Sequence, residues 1–138
     1  SLASRDEPIP KDQNKLIALL KQRADSYANQ LGNAWNEISL ITEVEKPLYF
    51  KELGYRSVEN GFIDPFNYDN PNGTLDILHQ TAAYEAFLAA FWDAKWPWFA
   101  GVYFWDVAVD PRRTGLGDSG FSPIGKTPTE AVIIKRFK

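Results

Sequence analysis

The chain has 138 residues, with 15 Lys and Arg against 18 Asp and Glu for a formal charge of −3, and it is 44% hydrophobic and 24% charged. That length and balance fit one ordinary domain able to bury a core, exclude wholesale disorder and argue against a general nucleic-acid binder. The absence of Cys and the single His, His79, exclude disulfides, thiolate nucleophiles and multi-His metal sites, while 14% aromatics point to an aromatic-lined cleft.

Ser1 to Pro10 reads as an extended lead-in. From Asp12, Leu16, Leu19, Leu20, Arg23, Tyr27 and Leu31 recur every three or four residues and predict a helix face. Gly32-Asn33 reads as a stop or kink. Trp35, Ile38, Ile41 and Val44 then predict a second helix that Pro47 ends. Leu48 to Leu53 is a short apolar run and predicts a buried strand. Strict alternation would put Leu48, Phe50 and Glu52 on one face and Tyr49, Lys51 and Leu53 on the other. Tyr55 to Gly73 is a long aromatic and polar loop, of a length that is often functional. It ends in Asn72-Gly73-Thr74, formally a glycosylation sequon.

Thr74 is the expected N-cap of the next helix, with Asp76 in its first turn and an end near Ala94. Leu78, Ala82, Tyr84, Phe87, Leu88 and Phe91 form its apolar side. Trp96-Pro97-Trp98 breaks the helix, and Phe99 to Trp105 predicts a second buried strand, with Tyr103 and Trp105 on one face and Val102 and Phe104 on the other. Asp106 to Thr127 is a glycine-punctuated loop. Pro128 starts a last helix that continues to the end.

The expected order is helix, helix, strand, helix, strand, helix, in an α/β fold with parallel pairing. Both strands are continuously apolar, as expected of strands covered on two faces. Two strands do not finish a core, and their open edges invite further strands. The sequence has no Met, which either removal of a start residue ahead of Ser1 or a piece of a longer chain explains, and the unfinished strands make the piece the expectation. The longest apolar stretch, Trp96 to Val109, is broken by Pro97, Gly101 and Asp106 and is too short to span a bilayer. No targeting segment is legible, and the compartment is left open.

Two motifs tempt toward nucleotide binding. Gly120 to Thr127 matches the P-loop pattern, and Gly115, Gly117 and Gly120 match the dinucleotide fingerprint. Neither follows a buried strand, and only eleven residues follow Thr127. One flexible loop explains both. Ser57 and Ser119 have no Cys or second His to complete a triad.

The residue that looks like chemistry is Glu52. A carboxylate at the C-terminal end of a parallel strand stands where α/β barrels gather catalytic groups. Glycoside hydrolysis needs two such carboxylates, and flat aromatics stack on sugars. Trp105, at the matching end of the second strand, is placed to do so. A strand-end Glu paired with Lys51 or Arg56 is the plain alternative.

Leu48-Tyr-Phe-Lys-Glu52-Leu-Gly-Tyr-Arg-Ser57 resembles the "ftEiGYrS" segment of glycoside hydrolase family 113, the β-mannanase-like barrels of clan A. Gln80, Tyr84 and Ala86 are similar to the family's seventh helix, Trp98 to Trp105 to its eighth strand, and Phe121 to Pro128 to the entry of its last helix. Leu2-Ala3 and the helix around Trp35 are similar to the segment after strand six. The resemblance spans nearly the whole chain, residues 1–138, as one segment.

It implies the C-terminal portion of a (βα)8 TIM barrel, strands seven and eight with helices six to eight, incomplete as a stand-alone barrel. It implies a retaining glycoside hydrolase acting on β-linked polysaccharide, mannan first. Glu52 would be nucleophile and Trp105 a sugar platform, with Tyr55 and Asp106 near the substrate. No metal or organic cofactor is implied. The acid/base Glu, which follows an Asn at the end of strand four, is absent. Lys51 also departs from the small residue expected before the nucleophile. Asp106, Asp110 and Asp118 are the only local replacements, so the chain alone is expected to be inactive. Expected partners are an oligo- or polysaccharide and either the remainder of the barrel or a second copy, with no nucleic acid and no membrane. The alternatives are a non-catalytic carbohydrate-binding or assembly module and, further off, a P-loop-like nucleotide binder.

Overall fold

A computed structural model describes residues 1–67 and 73–137. Asn72, and with it the sequon, lies outside the described residues. The elements run α1 (Gln13–Thr42), β1 (Leu48–Leu53), α2 (Ile77–Phe91), β2 (Phe99–Phe104), a 3-10 turn (Pro111–Arg113) and α3 (Thr127–Ile134).

The two expected N-terminal helices are one. Asp12 caps α1, its carboxylate accepting from the Lys15 N–H at 2.9 Å. The helix then continues for 30 residues straight through Gly32. Its buried stripe is Leu16, Leu20, Ala24, Ala28 and Gly32, one residue every four. The residues shrink along this stripe because Trp98 presses on its far end. A Cβ at Gly32 would lie 2.9 Å from the indole Nε1 of Trp98. Gly32 is therefore a notch for an aromatic ring, where the sequence reads as a stop.

Helix α2 begins later than expected. Leu75 is still extended, bridged antiparallel to Val58. Asp76 is the N-cap, accepting from the His79 N–H at 3.0 Å. The helix is buried almost all round, except that Leu78 is exposed. It ends at Phe91, three residues before the expected stop.

The strands pair in parallel through a βαβ connection. Phe50 pairs with Val102 and Leu53 with Phe104, so β1 advances three residues while β2 advances two. The extra residue falls at Lys51-Glu52, and such a bulge breaks the period-two alternation. Phe50 and Leu53 consequently both join the core, while Lys51 and Glu52 are exposed. This corrects the face assignment from strict alternation. Phe50 meets Phe87, Phe91 and Phe99 edge-on at centroid distances of 5.1, 5.0 and 6.0 Å, the geometry favoured by ring quadrupoles. The strands are not covered on both faces. Tyr49, Tyr103 and Trp105 stand open, since no described element packs over them.

Candidate active site

The site grows from the C-terminal ends of the two strands. The Trp105 N–H donates to the Leu53 carbonyl at 2.8 Å, which fixes Trp105 beside the end of β1, one residue past Glu52. Gly54 permits this. A Cβ there would lie 1.9 Å from the Trp105 carbonyl oxygen, so no side chain fits where β1 exits. Trp105 is 41% exposed and Tyr103 is 64% exposed. The Trp105–Asp106 peptide bond is cis.

Glu52 lines a groove of about 340 Å³ together with Tyr27, Leu31, Phe50, Phe87 and Phe91. This groove runs along the edge of β1 that has no strand partner among the described residues. Tyr55 also lines it, but its ring is only 4% exposed and packs edge-on to Tyr84 at 5.3 Å. Burial pushes both phenols far above their ordinary range. Tyr55 thus presents little surface to a ligand.

The acidic residues after β2 are each held by a cation. Asp106 accepts from Arg113 at 2.5 Å and Asp110 from Arg112 at 2.7 Å. Hydrogen bonding to Arg112 holds the Asp110 carboxyl below the usual carboxylate range. Asp118 accepts from Lys126 at 2.8 Å.

Beneath the site, a polar cluster locks the two strand-end loops to α2 and α3. Gln80 Nε2 donates to the carbonyls of Tyr55 and Phe121 at 2.8 and 3.0 Å. Its Oε1 accepts from Thr129 at 3.2 Å. Ser57 Oγ donates to the Asp118 carbonyl at 2.6 Å. Lys126 is wholly buried, and its Nζ also donates to the Gly120 carbonyl at 2.9 Å. Burial pulls the lysine pKa down against the raising effect of Asp118.

Lys126 is therefore a strut. No strand leads directly into Gly120, since the 3-10 turn and loop separate it from β2, and the ammonium that a P-loop would turn toward phosphate is spent inside the fold. That corrects the nucleotide-binding alternative. Ser57, Gln80 and Lys126 stand in the segments that carry the family resemblance, but the bonds they make across the fold have no local sequence signal. The Arg113 grip on Asp106 had no sequence signal at all.

Among the described residues no group of three His, Asp or Glu could hold a metal ion, and no helix is long and apolar enough to cross a membrane.

Comparison with known proteins then names the likeness. The family model of Glycoside Hydrolase Family 113 matches residues 18–126. A solved GH113 β-mannanase from Alicyclobacillus acidocaldarius, in complex with ManMIm, matches at 27% identity and a TM-score of 0.66, covering 85% of this chain and 35% of that one. A GH113 β-1,4-mannanase solved as a complex matches at 21% identity and a TM-score of 0.58, covering 77% and 35%; at that identity it shows the fold. No curated protein matches. The chain spans about a third of the length of the solved structures it matches.

Proposed function

The chain belongs to glycoside hydrolase family 113, and from that membership we propose that it supplies the nucleophile-bearing end of a retaining glycoside hydrolase acting on β-linked mannan. The carrying observation is Glu52, an exposed carboxylate at the C-terminal end of a parallel strand, one residue from the backbone bond that seats Trp105. (βα)8 enzymes gather their catalytic groups at that end of the strands.

On this reading Glu52 attacks the anomeric carbon of a mannosyl unit stacked on Trp105. The C–O bond to the leaving group breaks, and a second carboxyl group protonates that oxygen. The same group then deprotonates the water that releases the sugar from Glu52. Retention requires the two carboxyls to be about 5–5.5 Å apart. Asp106, Asp110 and Asp118 are already committed to Arg113, Arg112 and Lys126, so the acid/base comes from outside this chain. The chain then forms strands seven and eight with helices six to eight of the barrel and is inactive alone. Its partner along the edge of β1 is the remaining strands.

The test joins this chain behind strands one to six of a family 113 β-mannanase and assays mannan hydrolysis. Glu52→Gln removes the nucleophile while keeping shape. The expected loss is more than about a thousandfold in kcat, with oligosaccharide binding retained. Full activity in Glu52→Gln ends the nucleophile assignment. A second reading, a non-catalytic carbohydrate-binding module, is favoured by the same three cation-held aspartates. It predicts binding without hydrolysis even in the completed barrel.

A further inference from the structure

The backbone is pinned on either side of the Trp105–Asp106 step. The Trp105 N–H is held by the Leu53 carbonyl, and three residues on the Ala108 N–H donates to Ser122 Oγ at 3.1 Å, where both residues are buried. Exposure alternates along this segment. Trp105, Val107 and Val109 are open, while Asp106 is partly buried and Ala108 fully so. Successive side chains of an extended chain point to opposite sides, so the way Asp106 faces governs the way Trp105 faces.

Asp106 is turned inward. Its Oδ1 is buried and has no hydrogen-bond partner among the described residues. Burial is the main reason the Tyr84 phenol of α2 is raised, and the nearby Asp106 charge raises it further. The other carboxylate oxygen, Oδ2, accepts from Arg113 Nη2 at 2.5 Å.

Arg113 is itself held from behind. It ends the 3-10 turn, whose cap Asp110 accepts from the Arg112 N–H through its carboxylate and from the Arg113 N–H through its carbonyl, each at 2.9 Å. Two residues on, the Gly115 N–H donates to the Ile124 carbonyl at 2.8 Å. The guanidinium therefore springs from a fixed turn, although it is largely exposed. An exposed ion pair contributes little to global stability. Its effect here is local. Without Arg113 a partly buried carboxylate has neither oxygen paired, which is costly inside the fold and is relieved by turning out to water. That turn carries Trp105 with it.

We infer that Arg113 is a positioning residue: by holding Asp106 inward, it fixes which way the Trp105 indole faces at the strand ends. The use of that ring rests on the carbohydrate reading above. The inference adds what holds the ring, from a turn whose own side chains need touch no substrate.

The experiment labels the five tryptophan indoles of the 138-residue chain with nitrogen-15 and measures the order parameter of each N–H by NMR, with Trp105→Phe to assign the signal. In Arg113→Met the Trp105 value is expected to fall by about a third, from the rigid toward the flexible range. Trp35, Trp92, Trp96 and Trp98 are expected to keep theirs, with a thermal midpoint close to wild type. Arg113→Lys keeps a cation on the same turn and is expected to recover most of the loss. An unchanged Trp105 value in Arg113→Met overturns the inference. So does a fall shared by all five indoles with a lowered midpoint, which marks a merely structural role. β-Mannohexaose is then titrated into wild type and Arg113→Met. It is expected to shift the Trp105 indole and to bind the variant about fivefold more weakly, the cost of ordering one loosened side chain. Equal affinity also overturns the inference. A wild-type Trp105 indole unmoved by the sugar up to millimolar concentration overturns the sugar-platform reading instead, and the order parameters still decide Arg113.

Discussion

Lys126 and Asp118 form an ion pair at 2.8 Å in which the lysine side chain is completely buried. Removing one partner of such a pair strands a charge, which costs more than the pair itself contributes. Lys126→Met keeps the volume and deletes the charge. It is expected to destabilise the chain by about 3 kcal/mol, the low end for a broken buried pair because Asp118 retains some solvent. Lys126→Met with Asp118→Asn is expected to recover part of that loss. Urea unfolding of the two single variants and the double variant reads the coupling; strictly additive losses defeat the argument.

Tyr55 and Tyr84 predict the alkaline limit of stability. Burial holds both phenols protonated in the fold, well above the ordinary value near 10. A folded pKa raised above the unfolded one gives stability that is intact below the unfolded pKa and lost as pH climbs past it. Stability is therefore expected to fall above about pH 10, by about 1.4 kcal/mol per pH unit for each ring. Lys126, with its lowered pKa, acts in the opposite sense, but its single proton is already gone from both states once pH passes the unfolded value. Urea midpoints at pH 8, 10 and 11 measure the slope. Tyr55→Phe is expected to make it shallower, and an unchanged slope in that variant refutes the assignment.

Gly32 invites a substitution that propensity alone endorses. Ala in place of a helical Gly normally gains about 1 kcal/mol. Here the new methyl meets Trp98 Nε1 at 2.9 Å. The ring cannot retreat, because it is 3% exposed, stacked on Trp96 at 5.7 Å and edge-on to Phe91 at 6.2 Å. Overpacking costs about 1–3 kcal/mol, so Gly32→Ala is expected to be net destabilising and to alter the near-UV signal of the tryptophans. A rise in thermal midpoint contradicts the notch.

These residues also mark where the sequence is readable. The start of α1 at Asp12, the span of β1, the start of β2 at Phe99 and Pro128 in the first turn of α3 follow from local rules, because caps, Pro and apolar runs act on their own neighbours. Gly32 misleads because its reason lies 66 positions away at Trp98, and a glycine that ends a helix is spelled the same as one that admits a ring. The bulge at Lys51-Glu52 is invisible because it is a relation between two strands, yet it decides that Glu52 leaves the face that buries Phe50. The placement of Glu52 and Trp105 at the C-terminal ends of the strands was legible from the two apolar runs. Their underpinnings, Gln80 to the Tyr55 and Phe121 carbonyls and Arg113 to Asp106, are long-range bonds that no pattern records.

The open side of the molecule carries the last prediction. Strand β1 pairs only with β2 among the described residues, and the groove beside it is walled by Tyr27, Leu31, Phe87 and Phe91. A further groove of about 470 Å³ lies between the end of α1 and the start of β1, lined by Trp35, Ile38, Val44 and Leu48. Nearby, Leu40 and Ile41 are 81% and 82% exposed. Unpaired strand edges template further pairing, and contiguous apolar patches of this kind are uncommon on soluble monomers. The 138-residue chain is therefore expected to self-associate at concentrations of tens of micromolar and above. Light scattering on a gel-filtration column reads this directly. Leu40→Lys with Ile41→Glu is expected to shift the population toward monomer by breaking the patch, while leaving the buried stripe of α1 untouched. A monodisperse wild-type monomer across that range refutes the claim that these surfaces seek a partner.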